Sequence, residues 1–212
     1  MREVLKRVWK SPSGRLGMIA ALIVILSGIA APLIASHMPN QIDVAARLTP
    51  PSASHWFGTD HLGRDLFSRS LYGTRIAVSV ALAVTATALV LGVLLGVTAA
   101  YAPPAIERTI LACFDIVSSF PSLILALALV AVLGPGLVNI ILLVTVVFIP
   151  QFGRVARAQT LTVKERPFLE AELALGASGP RIMLAHVLPN IIGPIVVLAS
   201  MNVPVVITLE AG

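Results

Sequence analysis

Charge is scarce in this chain. Only 12% of its 212 residues are Asp, Glu, Lys or Arg, about half the ~25% typical of a soluble domain. With 57% hydrophobic residues and a mean hydropathy of +0.95, that shortage argues against an ordinary soluble fold and for a polytopic membrane protein. A soluble core does not need repeated uncharged runs of about 20 residues, the length that crosses a bilayer. Cysteine is nearly absent, Cys113 being the only one. An intrachain disulfide and a metal–thiolate cluster are therefore excluded, and Cys113, inside an apolar run, reads as a small packing residue. No G-x-x-x-x-G-K-[ST] phosphate loop occurs anywhere, so the chain is not expected to hydrolyse ATP itself. The apolar runs hold no histidine and almost no carboxylate. An intramembrane enzyme would need a nucleophile and base, or paired carboxylates, at that depth.

What is present is a series of five apolar runs, at about 16–35, 76–101, 109–133, 137–153 and 191–209. The first follows the basic segment MREVLKRVWKSPSGR and is longer than the ~7–15 residues of a signal-peptide core. It is expected to be an uncleaved span. The formal net charge of +5 implies no nucleic-acid partner, because in a membrane protein the placement of basic residues matters more than their sum. With the N-terminus in the cytoplasm, eleven of the fifteen basic residues fall inside, which the positive-inside rule favours. The organisation that follows is a cytoplasmic segment 1–15, a first span 16–36, an external loop 37–75 and a transmembrane domain 76–212, whose segment 157–190 lies in the cytoplasm. The closing residues ITLEAG do not read as a natural terminus. The expectation is a truncated chain, or a sixth span outside it.

Segment 157–190 is long for a connection, the median being about 4–6 residues, and it carries helix signals. Pro167 suits a first helical turn, and Phe168 to Leu175 favour helix. Gly176 sits where a left-handed cap would end it. Ser178 can cap a second helix with Pro180 in its first turn, running to about Leu188 and stopping at Pro189. Two such short helices are unstable alone in water and need a surface to lie on.

The stretch EAELALGASGPRIMLAHVLPN, residues 170–190, resembles the EAA loop of ABC importer permeases through Glu170, Ala171, Gly176, Ile182, Leu188 and Pro189. Glu172 departs from it, standing where that loop has a second alanine and adding a negative charge at the docking surface. FGTDHLGRDLFSRSLYGTR, residues 57–75, resembles the signature between spans one and two of the second permease of dipeptide, oligopeptide and nickel importers, with Asp60, Arg64, Asp65, Ser68 and Arg69 among the matching positions. Residues 107–129 fit the same subfamily at Arg108, Asp115 and Pro121.

The resemblance implies an all-α transmembrane helical bundle of the type I ABC importer permease kind. It implies a second permease subunit that completes the path, two ATPase subunits on the cytoplasmic face and an extracytoplasmic solute-binding protein. The chain would have no cofactor of its own and would lie in a bacterial or archaeal inner membrane, carrying peptides or similar small solutes. Glu170 would then form charge-assisted hydrogen bonds in an ATPase groove, Gly176 would set the angle between the two helices, and Ala171 and Ala177 would permit close approach. The rival reading is an ion-coupled secondary transporter, which would usually show more membrane-buried ionisable groups.

Four further expectations concern single residues. Asp115, the one ionisable group well inside a predicted span, should make a gating or structural contact, with a basic residue of the partner subunit as a candidate. Pro121 should kink the third span. Gly92 and Gly96 have the spacing of a close helix contact. Residues 59–72, including Arg64 and Asp65, have the spacing of a helix lying on the membrane surface, suited to an outer gate or a receiving surface. His37, His55 and His61 share that loop in a spacing that matches no metal-ligand pattern.

Overall fold

In the computed structural model, residue 9, residues 11–134 and residues 136–211 are described. Most of the basic N-terminal segment, residues 1–8 and Lys10, lies outside them. The described residues form an all-α protein whose only strand-like feature is the isolated bridge between Thr59 and Asp65. Among the described residues, four helices are long and apolar enough to cross a membrane, and a bent pair makes a fifth span if it counts as one. The chain divides into two compact units, residues 1–79 and 80–212.

The first unit begins with α1, Pro12–Ile34. Ser11 caps it by accepting the Gly14 N–H at 3.1 Å, and Pro12 fills the first turn, where a missing N–H costs nothing. Gly28 of α1 lies against the Arg75 backbone, where a Cβ would sit 3.1 Å from the Arg75 Cα. After α1 the chain forms a long loop with one 3-10 turn, Val44–Ala46, and enters α2, Leu66–Tyr101.

The expected surface helix over 59–72 is not a separate element. Residues 59–65 are irregular, and α2 starts at Leu66 and runs unbroken through the second expected span. The reason is a cap that apolar spacing cannot reveal. Asp65 Oδ2 accepts the Ser68 N–H at 2.8 Å, the bond that starts a helix. Just before it, Gly63 takes a positive φ of 75°, which ends helical geometry upstream.

The second unit holds the later turns of α2, then α3 (Pro104–Ser118) and α4 (Ser122–Leu133). The expected kinked third span is in fact these two helices, bent by 89°. Pro121 is the N-cap residue of α4 rather than an interior kink, since proline disfavours helix in the residue before it and cannot donate the next helical bond. Next comes α5, Leu137–Lys164, which continues past the expected end at 153 with Pro150 inside it. Then follow α6 (Pro167–Ala174), α7 (Gly179–Ile182), a π turn over Met183–Val187 and α8 (Leu188–Ala211).

The expected stop at Pro189 does not occur. The Leu188 N–H bonds to the Met183 carbonyl, five residues back. That wider turn, a π-bulge, carries the helix across the proline's missing donor and into α8.

α5 is the centre of the second unit, packing against α3, α4 and α8. Phe152, Ile191, Ile195, Val84 and Val206 are fully or almost fully buried in one cluster. The glycine pair is a true close contact. A Cβ on Gly92 would lie 2.6 Å from the Phe152 Cβ, and one on Gly96 would lie 2.2 Å from the Gly153 carbonyl oxygen. Small residues let two apolar helices approach closely, where dispersion replaces the hydrophobic drive that lipid does not supply. Thr87 and Thr145 add a hydroxyl pair at 2.7 Å between the same two helices.

Candidate functional site

The elbow formed by α6 and α7 carries Glu170, Ala171, Gly176 and Ala177, the residues expected to contact an ATPase. Gly176 takes φ +82°, the left-handed conformation that closes a helix. The Ala177 N–H reaches the Glu172 carbonyl at 3.0 Å, the six-to-one bond of a Schellman end. Ser178 occupies the N-cap of α7 as expected, but its hydroxyl makes no capping bond. The elbow is pinned from below by Leu169, Ile182 and Val187, all buried in the core cluster.

Above these anchors Glu170, Ala171, Leu175 and Gly176 are exposed, and Leu175 is 84% exposed. Among the described residues, no ion pair or hydrogen bond engages the Glu170 carboxylate. Ala177 is placed differently from expectation, half-buried and packed inward against the core. Glu172 also turns away from the open face. It lies 3.6 Å from His186 Nε2, whose ring faces Phe168 at 6.1 Å. The charge that departs from the family pattern is therefore partnered within the elbow itself.

A second constellation surrounds the bend between α3 and α4. Asp115 accepts a bond from Arg154 Nη2 at 2.8 Å, and Arg154 Nη1 donates to the Ser118 hydroxyl at 3.1 Å. The basic partner expected from another subunit is thus supplied by α5 of the same chain. Asp115 is also 73% exposed rather than enclosed, which leaves the pair facing outward from the fold. Beside it a cavity of about 360 Å³ is lined by Ser118, Phe120, Ser122, Pro150, Gln151 and Arg154. Further along α5, Arg157 binds Glu107 through Nε at 2.8 Å. Lys164 Nζ donates to the Ala100 carbonyl at 2.7 Å and sits over the Tyr101 ring. Arg154, Arg157 and Lys164 are not singled out in the sequence beyond the count of basic residues. Their partners lie far away in the chain, so no local pattern could pair them.

In the first unit, Arg64 and Asp65 are neighbours with separate roles. Arg64 Nε donates to Asp60 Oδ2 at 2.7 Å. Asp60 Oδ1 also accepts the Leu62 and Arg64 N–H groups. Desolvation pushes the Asp60 carboxyl up, but those N–H groups and the Arg64 guanidinium outweigh it and hold it at about 2. Asp65 is buried. Burial raises its carboxyl, while the Ser68 N–H and hydroxyl and the His55 ring bring it below the ordinary range. His55 Nδ1 lies 3.0 Å from Asp65 Oδ1, and the His37 ring stacks on the His55 ring at 4.7 Å. His61, the third histidine of the loop, is exposed and stands outside this group.

Comparison with known proteins gives a consistent picture. Residues 88–212 match a family described as the binding-protein-dependent transport system inner membrane component. Residues 1–51 match the N-terminal TM domain of oligopeptide transport permease C. The chain is 40% identical over 201 residues to a dipeptide transport system permease protein of Alkalihalophilus pseudofirmus, covering 95% of this chain and 66% of the relative. It is 40% identical over 209 residues to a probable D,D-dipeptide transport system permease protein of Escherichia coli, covering 97% of this chain and 70% of the relative. It is 31% identical over 210 residues to an oligopeptide transport system permease protein of Bacillus subtilis, covering 99% of this chain and 69% of the relative. The chain thus spans about two thirds of the length of these relatives.

Proposed function

The chain belongs to the family of binding-protein-dependent transport system inner membrane components, and from that premise we propose that it is a permease subunit of an ATP-driven importer of peptides. It pairs with a second permease subunit to complete the path. Two ATPase subunits supply the energy, and an extracytoplasmic binding protein delivers the cargo. Peptide cargo follows the relatives, whose names specify dipeptides and oligopeptides.

The observation that carries this reading is the elbow. Its apolar side is locked into the core through Leu169 and Ile182, while Glu170 and Leu175 face outward. A rigid, anchored projection transmits a push, and an exposed carboxylate beside an exposed leucine offers one charged and one apolar contact to a groove. The distribution of basic residues supports a cytoplasmic N-terminus and elbow, the side where ATP is. The cavity at the α3–α4 bend, with Gln151 and Arg154 on its wall, is this subunit's contribution to the path. The outward-facing Asp115–Arg154 pair is a gating contact that breaks and re-forms as helices rock around that path, with Pro121 holding the bend. Arg64 and Asp65 serve to pack the loop before α2.

The test is uptake of a labelled dipeptide into proteoliposomes that hold the full-length subunit with its partner subunits. Uptake should require ATP on the elbow side and persist when ionophores collapse proton and sodium gradients. Uptake that runs on a gradient without ATP would refute the reading and leave an ion-coupled carrier.

A further inference from the structure

The loop between α1 and α2 holds a group of side chains for which the transport reading offers at most a packing role. We propose that His37, His55 and Asp65 form a binding site for a first-row divalent cation, zinc being the best match. One ligand atom from each of the three lies within 4.8 Å of the others. They line a cavity of about 130 Å³ together with Gln41, Asp43 and Gly63.

The donor set suits the ion. Two imidazoles and one carboxylate are the ligands of borderline metals such as zinc, nickel and copper, whereas calcium and magnesium take oxygen shells. Catalytic zinc sites use this same number of protein ligands and leave one position for water. Two ligands of a tetrahedral zinc, each about 2.0–2.1 Å from the ion, stand roughly 3.3 Å apart. His55 Nδ1 and Asp65 Oδ1 are already 3.0 Å apart, so a few tenths of an ångström admit the ion. The hydrogen bond between those two atoms gives way as the metal takes its place, with the imidazole proton then carried on Nε2.

His37 must move the furthest, and it is the freest of the three. Its ring hydrogen-bonds the exposed Ser36 hydroxyl, at 3.0 Å, and otherwise stacks on the His55 ring it would join at the ion. Its backbone is held separately, through a bond from its N–H to Ser68 Oγ at 3.2 Å. A rotation of that ring therefore leaves the loop intact. The charges are also favourable. Asp65 is 1% exposed at its side chain, where a carboxylate attracts a cation more strongly than in water, and Asp43 lines the same cavity.

Sequence spacing concealed the site, because the chain closes it through turns at Gly58 and Gly63, both with positive φ. A Cβ at Gly63 would strike the Asp43 carbonyl oxygen at 1.7 Å, so glycine there is what lets the strands of the loop close on the cavity. A bound cation would tie the chain shortly after α1, the middle of the loop and the residue that caps α2 to one another.

The test uses the full-length subunit with its partner subunits, purified without a polyhistidine tag, stripped with EDTA and desalted. Zinc binding is measured by calorimetry, and cobalt is substituted to read the ligand field from its visible spectrum. The expected result is one ion per chain at micromolar affinity or tighter, with cobalt bands of a four- or five-coordinate site. His37→Ala should weaken binding about tenfold or more with an unchanged melting temperature of the metal-free protein. His61→Ala should bind as the parent does. Absence of saturable binding in the parent, parent-like affinity in His37→Ala, or loss of binding in His61→Ala would each overturn the proposal. His55→Ala and Asp65→Asn add support only if they fold. His37→Ala decides the matter because it removes only a half-buried ring that stacks on His55 and bonds the exposed Ser36 hydroxyl, leaving the backbone bond to Ser68 in place.

Discussion

The loop of residues 37–65 and the elbow of residues 165–187 are both polar interruptions between apolar helices, yet they use their carboxylates in opposite ways. In the loop, Asp60 is tied to two backbone N–H groups and a guanidinium, and Asp65 is buried against Ser68 and His55. In the elbow, Glu170 stands exposed with no partner among the described residues. A carboxylate that accepts several bonds inside its own loop fixes that loop's shape, because removing it leaves buried donors unsatisfied. A carboxylate left open on a rigid, anchored projection contributes little to its own fold and is free to bind another surface. Glu172 makes the same contrast within the elbow, since only two residues away it turns back to His186.

The contrast can be broken by substitution. Glu170→Ala should reduce ATP-driven uptake at least tenfold, about 1.4 kcal/mol or more of lost coupling, while the melting temperature of the isolated subunit stays unchanged. Exposed side chains without partners contribute within about 0.5 kcal/mol. Asp65→Ala should do the reverse. It removes a helix cap and strands the Ser68 N–H, at a cost of about 1–3 kcal/mol, read as a lower melting temperature in detergent. Gly176→Val should strain the left-handed turn of the elbow by about 1–2 kcal/mol, lowering uptake more than Ala would at a neighbouring exposed position.

Acid should sharpen the contrast further. Asp60 titrates at about 2 in the folded loop against about 3.9 in an unfolded chain. Its stabilising effect is therefore complete above about 4 and is lost as pH falls toward 2. Trp56 packs on Phe67 at 4.8 Å, so its fluorescence in a Trp9→Phe background should change over that range. The smallest effect is expected for Glu172→Gln, which removes a half-exposed pair with His186. Such pairs contribute about 0–1 kcal/mol, and both stability and uptake should remain close to the parent's.

How far these features were legible follows from how local their causes are. The left-handed turn at Gly176 and the helix start at Pro167 were readable because each depends on one residue's own backbone preferences. The all-α class and the approximate positions of the apolar helices were readable because lipid demands long uncharged runs. The bend at Pro121 was hidden because residues 109–133 are continuously apolar, and hydropathy registers composition rather than direction. The helix imagined over 59–72 had the right apolar spacing, but the capping bond from Asp65 to Ser68 decides where helix begins. The partner of Asp115 lies 39 residues away, and His37 and His55 meet only because the loop turns twice at glycine. Each of these depends on tertiary closure, which no window along the chain contains.

The central claim is that the open face of the elbow, through Glu170, is where the ATPases bind. Its most direct test is native mass spectrometry of the gently solubilised complex, comparing the full-length subunit with Glu170→Ala. The account predicts that a second permease and two ATPases accompany the parent, and that the variant keeps the permease but loses the ATPases. A variant that retains its ATPases in full, or a parent that carries none under several detergents, would contradict it.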